Sequence, residues 1–281
     1  MKGKTYLWFL VLTGLITLTA CPPQQFETTL FQPFENESSA GPRAITWNGR
    51  DLVLAAYNQV VGARNIQTEW MGTANQRMDP PNYYNYGQFP AQSLEHMSIC
   101  GLAWEGDCCE FGYLWVADAI TQNIIKVDYH YNRITTFPSP GPAPSGMTFD
   151  GNDLWVADEK EGNIYKITTE DGTILEAYRS PMPIPSGLAW DGQGLWVVGM
   201  DSFKRSQKQN GNPSLVKMNF TTGFMNEKLN LPKEISRPGS VEWVDGIIWV
   251  GDQTTNRVFK LWQKHAMQLG ESEARKIEKI M

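Results

Sequence analysis

The sequence predicts an all-β fold, a single β-propeller, from three observations. A hairpin pattern recurs five times: an apolar strand ending in an aromatic residue, a short turn, and a second apolar strand. The turns are rich in Asn, Asp and Gly, which accept the positive φ of tight hairpins. The repeat is 41 to 57 residues long, a period typical of propeller blades. The aromatic residues that mark the repeats are Trp47, Trp104, Phe149, Trp190 and Trp243.

Further strands complete each repeat, so we expect five blades of four strands, with six blades as the alternative. Candidate third strands lie near residues 124–128, 164–167, 215–218 and 257–261. The last of these has no fourth strand after it, whereas residues 26–34 have strand character ahead of the first repeat. We expect this N-terminal strand to close the ring by pairing there, because an open sheet edge promotes aggregation. The alternative is that 26–34 is a flexible lead-in.

The N-terminus has the pattern of a bacterial lipoprotein signal. Lys2 and Lys4 precede a short apolar stretch that ends in Leu18-Thr19-Ala20-Cys21. This predicts a signal peptide over residues 1–20 and lipidation of Cys21; the alternative is an ordinary secretory signal cut nearby. A spacer (21–41), the propeller (42–262) and a charged tail (263–281) follow, and the tail permits a short surface helix. The expected location is the cell envelope, facing the periplasm or the exterior.

The charge of the chain excludes some partners. The formal net charge is −6, and the predicted signal peptide removes two Lys and no acidic residue. An acidic mature chain will not bind nucleic acid or an anionic membrane through bulk charge. Membrane association is therefore expected through the lipid alone.

Acidic residues end the second strand in several repeats: Asp118, Asp158 and Asp252, with Asp201 two residues beyond its strand. Such carboxylates could hold a cation through oxygen ligands. They could instead accept backbone N–H groups of the following turn or the next blade. We favour the second interpretation, because residues repeated in every blade usually serve the repeat, and we predict no metal site.

Three cysteines surround an enlarged turn in the second repeat. Cys100 lies on the incoming strand, and the turn contains Cys108 and Cys109. Thiols outside the cytoplasm tend to be oxidised, so we expect a disulfide from Cys100 to Cys108 or Cys109. A zinc site that also uses His96 is the alternative, although the spacing matches no known zinc pattern. No base is placed to activate a thiol nucleophile.

Two long segments, 57–97 and 199–214, follow second strands, and we expect the first to contain one blade's outer strands and a long loop, Met71 to Leu94. We expect both to emerge on the face where the innermost strands begin, since second strands end there. Tyr83 and Tyr84 lie in the first segment and could stack on a ligand or cover a blade end. The second contains the basic residues Lys204, Arg205 and Lys208, which we interpret as part of a solvated loop.

The same face is the predicted ligand face. The residues that open the innermost strands are Arg43, Cys100, Ser145, Ser186 and Gly239. The strand-end Asp residues should lie just outside them. Arg43 is the one charged opener, and a partly desolvated guanidinium suits a carboxylate or another anion. The alternative is that Arg43 pairs with a neighbouring strand-end Asp.

The repeats resemble two known families. Leu154–Asp158 followed by Asn163–Ile167 resembles the repeats of NHL and streptogramin-lyase-like propellers, and the resemblance extends over residues 42–262. Val241–Val250 followed by Gln253–Val258 resembles the glutamine cyclotransferases, five-bladed propellers that cyclise N-terminal glutamine with loss of ammonia.

The second resemblance implies a fold rather than an activity. That family carries Gln, Glu or Asn beside the residue that opens its innermost strands, and none of the five openers here is a carboxylate or amide. Asp252 stands where the family has Trp. No catalytic residue is carried over. The sequence therefore predicts an anchored binding module for a protein, peptide or glycan, without a cofactor; the alternative is a diverged propeller enzyme of the cyclotransferase, lyase or lactonase type.

Overall fold

A computed structural model shows an all-β chain. The structure describes residues 28–31, 41–56, 59–64, 83–88, 97–107, 111–128, 130–201, 211–225, 229–262, 275–276 and 278–280. Within these ranges the regular elements are strands, and no helix is long and apolar enough to cross a membrane.

The strands form antiparallel sheets in which neighbours along the chain mostly pair with one another. Four sheets have four strands each. The first contains β2 (Ala44–Trp47), β3 (Asp51–Ala56), β4 (Gln59–Arg64) and β5 (Tyr83–Gln88). The second contains β6 (Ile99–Glu105), β7 (Tyr113–Asp118), β8 (Asn123–Val127) and β9 (Arg133–Pro138). The third contains β10 (Pro144–Phe149), β11 (Leu154–Asp158), β12 (Asn163–Ile167) and β13 (Ile174–Arg179).

The fourth of these sheets joins the two ends of the repeat region. Its order is β1 (Thr28–Phe31), β21 (Arg257–Trp262), β20 (Ile247–Asp252), β19 (Pro238–Val244). Thr28 pairs with Leu261 and Phe31 with Val258 in antiparallel register. The predicted pairing of the N-terminal strand with the last strand of the ring is therefore confirmed.

The remaining sheet departs from the predicted form. Its main path is β14 (Ile184–Trp190), β15 (Gly194–Met200), β16 (Pro213–Asn219), β17 (Phe224–Met225) and β22 (Arg275–Lys276). A further strand, β18 (Leu229–Asn230), pairs with β16 beside β17. Four blades thus have the predicted four strands, and the prediction of five such blades is corrected. The outer strand of this sheet is split into two short pieces, which leaves part of its edge to the C-terminal segment.

The sheets are arranged as a propeller. Their innermost strands contact one another in a circle, β2 to β6, β10, β14, β19 and back to β2. The second strand of each sheet lies between neighbouring sheets, which explains why β11 is buried along its whole length. Aromatic rings fill the space between sheets: Trp155 stacks on Trp190 at 6.1 Å and Trp196 on Trp243 at 5.7 Å. The core is therefore divided among the interfaces between blades.

The turns between first and second strands have the predicted chemistry. Asp245 and Gly246 both have positive φ, 48° and 84°, as a type I′ turn requires. On the same face, three sheets carry a cluster of one Trp, one Lys and an Asp or Glu that was not predicted from the sequence. The Trp155 indole N–H donates to Asp150 Oδ2 at 2.8 Å, and Lys166 Nζ lies 2.9 Å from the same oxygen. The equivalent clusters are Trp115, Lys126 and Glu105, and Trp196, Lys217 and Asp191.

One prediction about the connecting segments is wrong. Residues 57–97 contain the outer strands β4 and β5, as expected, but the loop predicted over 71–94 has other bounds, because β5 lies within it. The long connection, residues 65–82, joins Arg64 to Tyr83, and Arg64 pairs with Asp51 at the turn end of the sheet. Arg64, where this connection begins, therefore lies on the face opposite to the predicted one. By contrast, Met200 and Pro213, at the ends of β15 and β16, pair on the expected face.

The C-terminal tail also differs from its prediction. Its described part is extended rather than helical: Lys276 pairs with Phe224, and Lys279 forms a bridge with Tyr178. Open backbone groups at the edges of β13 and β17 accept the tail, and a helix could not satisfy them.

Candidate functional site

A β-bulge opens the innermost strand in four of the sheets. The pairing register shifts between Pro144 and Gly146, which leaves Ser145 as the extra residue. The equivalent bulged residues are Cys100, Ser186 and Gly239. A bulge redirects the side chain it carries and interrupts the ladder. Four of the five predicted strand openers therefore share one local geometry at one end of the ring.

The bulged serines connect neighbouring blades. Ser145 Oγ donates to the carbonyl of Pro185 at 2.7 Å, and Ser186 Oγ donates to the carbonyl of Pro238 at 2.7 Å. A hydroxyl has one proton to donate, so each of these oxygens retains only acceptor capacity. Both serines thus stabilise the ring, and any ligand that reaches them must supply the hydrogen-bond donor.

Below the bulges the channel is closed. An added Cβ on Gly146 would lie 2.7 Å from the Cα of Gly187, and one on Gly187 would lie 2.8 Å from the Cα of Ser240. Only glycine permits this approach of neighbouring strands. The space between the innermost strands is about 10 Å³, no more than the roughly 10–15 Å³ that a single water molecule needs. The ring therefore offers a mouth rather than a passage.

A cavity of about 110 Å³ lies above the bulges, at the mouth of the channel. Its wall is formed by Arg43, Cys100, Ala119, Pro142, Ala143, Pro144, Ser145, Glu159, Ser186 and Gln253. Arg43, Cys100, Ser145 and Ser186 of the predicted ligand face thus lie together. We call this space the mouth cavity.

Arg43 is held at the wall of the mouth cavity by the neighbouring blade. Its Nη1 donates to Ser98 Oγ at 2.7 Å, and the Ser98 N–H donates to Asp118 Oδ1 at 2.8 Å. The half-buried guanidinium is therefore linked through Ser98 to a strand-end carboxylate. This arrangement fixes the orientation of Arg43 toward the cavity wall.

Glu159 was not among the predicted site residues. It follows Asp158 in the chain, as Ala119 follows Asp118 and Gln253 follows Asp252, and all three line the mouth cavity. The Glu159 side chain reaches solvent, yet the cavity wall removes enough water to raise the pKa of its carboxyl. Arg43 and Arg237 act in the opposite direction. Glu159 could have been found from its position in the sequence, because the residue that follows Asp118, Asp158 or Asp252 lines the mouth cavity.

Cys100 is a free thiol in this structure, so the predicted bridge from Cys100 is corrected. Cys100 is the second residue of β6, whereas the enlarged turn follows the other end of that strand at Glu105. At about 3.3 Å per residue the two ends lie far beyond the Cα separation that a disulfide allows. Burial raises the pKa of the Cys100 thiol to about 12, and Sγ donates to the carbonyl of Ala117. The thiol is therefore protonated at neutral pH and a poor nucleophile.

The strand-end carboxylates bind backbone groups. Asp158 accepts the N–H groups of Ala143, Lys160 and Glu161, so it joins its own turn to the segment before β10. Asp118 and Asp252 accept equivalent sets and are fully buried. Among the described residues, no group of three or more His, Cys, Asp or Glu side chains could hold a metal ion. The strand-end Asp residues therefore accept backbone N–H groups, which is the second of the two interpretations given for them.

The other predicted residues lie elsewhere. Gly199 has the position in its sheet that Asp158 has in the neighbouring sheet, and Asp201 lies two residues further along the chain. Asp201 lines a separate open groove with Arg179 and Glu161. Tyr83 and Tyr84 begin β5 and pair with Ala63 and Gly62 near the turn end of their sheet, so their placement on the mouth face is corrected. Cys21, Cys108, Cys109 and the basic residues Lys204, Arg205 and Lys208 lie outside the described residues.

A buried carboxyl outside the cavity was also missed. Glu242 accepts the N–H of Trp47 in the next blade at 3.2 Å and that of Trp243 at 2.8 Å. Burial raises the pKa of the Glu242 carboxyl to about 7, although these bonds and one from Thr46 lower it. This group lies at the interface between the first and last sheets of the ring.

Several solved structures have a similar fold at low sequence identity. Myxococcus xanthus glutaminyl cyclase aligns with a TM-score of 0.55 and 9% identity over 90% of this chain and 96% of that one. A structural genomics protein of unknown function from Bacteroides thetaiotaomicron aligns with a TM-score of 0.50 and 14% identity over 78% and 58%. Virginiamycin B lyase from Staphylococcus aureus aligns with a TM-score of 0.45 and 18% identity over 82% and 68%.

No protein-family model matches the chain, and no curated protein matches its sequence. The glutaminyl cyclase represents one of the two kinds of propeller that the repeats resemble. At 9% identity this likeness supports the propeller fold alone.

Proposed function

We propose that this chain is a lipid-anchored, extracytoplasmic β-propeller that binds a ligand at the mouth cavity without catalysing its conversion. The observation that carries the proposal is the mouth cavity itself, where Arg43, Glu159, Ser145 and Ser186 converge on one space. We take the sheet of β14, β15, β16, β17, β18 and β22 as the fifth blade, since β14 lies between β10 and β19 in the ring. Anchoring through Cys21 rests on the lipoprotein signal in the sequence.

The size of the mouth cavity limits what can enter. Sites for drug-sized molecules usually have about 300–1,000 Å³, and this cavity has about 110 Å³. A ligand of a few non-hydrogen atoms fits, as does one end of a larger molecule. We infer that a peptide or glycan ligand would insert a side chain, a terminus or a single substituent.

The lining sets the chemistry of that group. Arg43 offers donors with a positive charge, which suits a carboxylate or another anion. Ser145, Ser186 and the Glu159 carboxylate offer acceptors. The ligand that satisfies both sides carries an anionic group and an N–H or O–H donor a few ångströms apart.

A direct test is a thermal-shift and calorimetric screen of the purified chain with small carboxylates, amino acids, hydroxy acids, short peptides and oligosaccharides. Arg43→Ala should lower the affinity for any ligand that binds at the mouth cavity by at least tenfold, because a charge-assisted hydrogen bond contributes about 1.5–3 kcal/mol. Arg50→Ala is the matched control, since Arg50 is a half-exposed arginine of the turn face that pairs with Asp51. Equal losses in both variants, or a ligand unaffected by Arg43→Ala, would contradict binding at the mouth cavity.

An enzyme remains the second candidate because of Glu159. A carboxyl with a raised pKa in a cleft is the kind of group that general acid–base catalysis requires. Turnover of peptides with N-terminal glutamine, or of lactones, would support a diverged cyclotransferase or a lyase or lactonase-like enzyme. The rate should then fall at least a hundredfold in Glu159→Gln. Binding without turnover in the parent chain supports the binding module.

A further inference from the structure

The outer edge of β13 is covered by the C-terminal end of the chain. The Arg179 N–H donates to the carbonyl of Glu278 at 3.0 Å, and the Ile280 N–H donates to the carbonyl of Ala177 at 2.8 Å. Just before this, β22 pairs with β17 of the neighbouring sheet. Residues 275–276 and 278–280 therefore extend the ladders of two adjacent blades, as an added strand does in β-augmentation.

Side chains give this edge a preference for a basic residue. Lys279 Nζ lies 2.6 Å from Glu176 Oε1 and 5.8 Å from the centre of the Tyr178 ring. The Tyr178 hydroxyl donates to the other oxygen of Glu176 at 2.7 Å. Glu176 and Tyr178 together form a cradle for an ammonium group, with a carboxylate on one side and an aromatic face on the other.

The contacts that hold the tail on β13 are few and open to water. Residues 278–280 are exposed, and half of the Lys279 side chain surface is accessible. Exposed ion pairs and backbone hydrogen bonds each add little net stability, because their partners bind water instead when the tail leaves. An association of this strength opens readily and leaves the β13 edge with unpaired backbone groups.

We propose that the outer edge of β13 is a docking edge for an extended, lysine-bearing segment of a partner protein. The chain's own residues 278–280 occupy the edge until such a segment displaces them. This surface lies at the periphery of the propeller, apart from the mouth cavity, so the proposal does not depend on the function assigned to that cavity. The backbone ladder supplies affinity, and the cradle of Glu176 and Tyr178 selects the lysine.

The test uses the full chain in detergent and a fluorescent synthetic peptide with the sequence of residues 274–281. Ile280→Pro removes the N–H that bonds to Ala177 and should release the tail, so that the Arg179 amide exchanges faster with deuterium. The peptide should bind this variant at least tenfold more tightly than the parent, whose own tail competes. Ile280→Val keeps the N–H and is the matched control, expected to behave as the parent does.

Two further measurements decide the lysine preference. A peptide with Glu in place of the residue equivalent to Lys279 should bind the Ile280→Pro variant at least tenfold more weakly than the original peptide does. Adding Glu176→Gln to that variant should lower its affinity for the original peptide severalfold. Equal peptide binding to Ile280→Pro and the parent would overturn the proposal. So would an Arg179 amide that stays protected in Ile280→Pro, because the tail would then be a permanent strand.

Discussion

Glu242 occupies the position at which the other innermost strands carry Thr46, Ala103, Thr148 and Ala189. In the third blade, Thr148 Oγ1 accepts the N–H of Trp190 from the next blade, and Glu242 does the same for Trp47 with a carboxylate. A neutral acceptor performs this role at little desolvation cost, whereas an ionised carboxylate is costly to bury. A glutamate at this position, where the other blades have Thr or Ala, therefore makes the interface between the first and last blades sensitive to pH.

The folded state should lose stability as pH rises from about 4.5 to about 7. The pKa of the Glu242 carboxyl rises from 4.5 to about 7 on folding, so the folded chain binds the extra proton within that window. Binding more protons when folded makes the free energy of unfolding fall with pH, by up to about 3 kcal/mol from this group. Urea denaturation between pH 4.5 and 8 measures the slope.

Glu242→Gln should flatten that slope, because the amide does not titrate and still accepts one N–H. Glu234→Gln, which removes an exposed carboxyl before β19, is the control and should leave the slope unchanged. A Glu242→Gln chain whose stability still falls by the same amount across the window would assign the effect to another group.

Among the elements, β1 lies outside the five repeats and closes the ring. Its four residues pair with β21, more than 220 residues away in the chain. Without β1, the outer side of β21 would present a row of unpaired backbone groups. The fold therefore depends on a short strand that the repeats themselves do not contain.

Deletion of Thr28–Phe31 should lower the free energy of unfolding by about 2–4 kcal/mol, since several backbone hydrogen bonds worth about 1 kcal/mol each are lost. The exposed β21 edge should also cause concentration-dependent association, measured by sedimentation velocity. Leu30→Val keeps a β-favouring residue in the strand and serves as the control. A deleted chain that stays monomeric and unfolds at the parent's urea midpoint would show that β1 does not close the ring.

On the scale of the whole molecule, the two faces of the propeller differ in structure. The turn face carries tight turns, the strand end at Arg64, and clusters such as Trp155, Lys166 and Asp150, which join three strands of one sheet. The mouth face carries the bulges and the mouth cavity. We therefore expect the proposed recognition at the mouth cavity.

Cys21→Ser should move the protein out of the membrane fraction or leave its signal peptide uncleaved. The physical reason is that an acidic chain without the lipid has no other strong attraction to an anionic membrane. Cell fractionation and the mass of the mature N-terminus measure the outcome. Cys100→Ser changes a buried thiol instead and should leave the distribution unchanged; a cleaved, membrane-bound Cys21→Ser protein would place the anchor elsewhere.

The amino-acid sequence by itself determined the local features of this protein. Hairpins such as Phe149–Leu154 depend on residues a few positions apart, so strand alternation and turn chemistry are enough to predict them. The strand-end role of Asp158 is local for the same reason, as is the recurrence that indicates a propeller. The pairing of β1 with β21 could also be inferred, because each had an unmatched edge.

Only the tertiary structure decided which distant residues meet. Glu159 and Arg43 are more than 100 positions apart, and they share the mouth cavity because the ring brings two blades together. Cys100 lies at the far end of β6 from its turn because of the direction of that strand. Residues 278–280 dock on β13 because the edge of β13 is open. Neither leaves a periodic signal in the sequence, because contacts between separate elements depend on their arrangement in space and not on spacing along the chain.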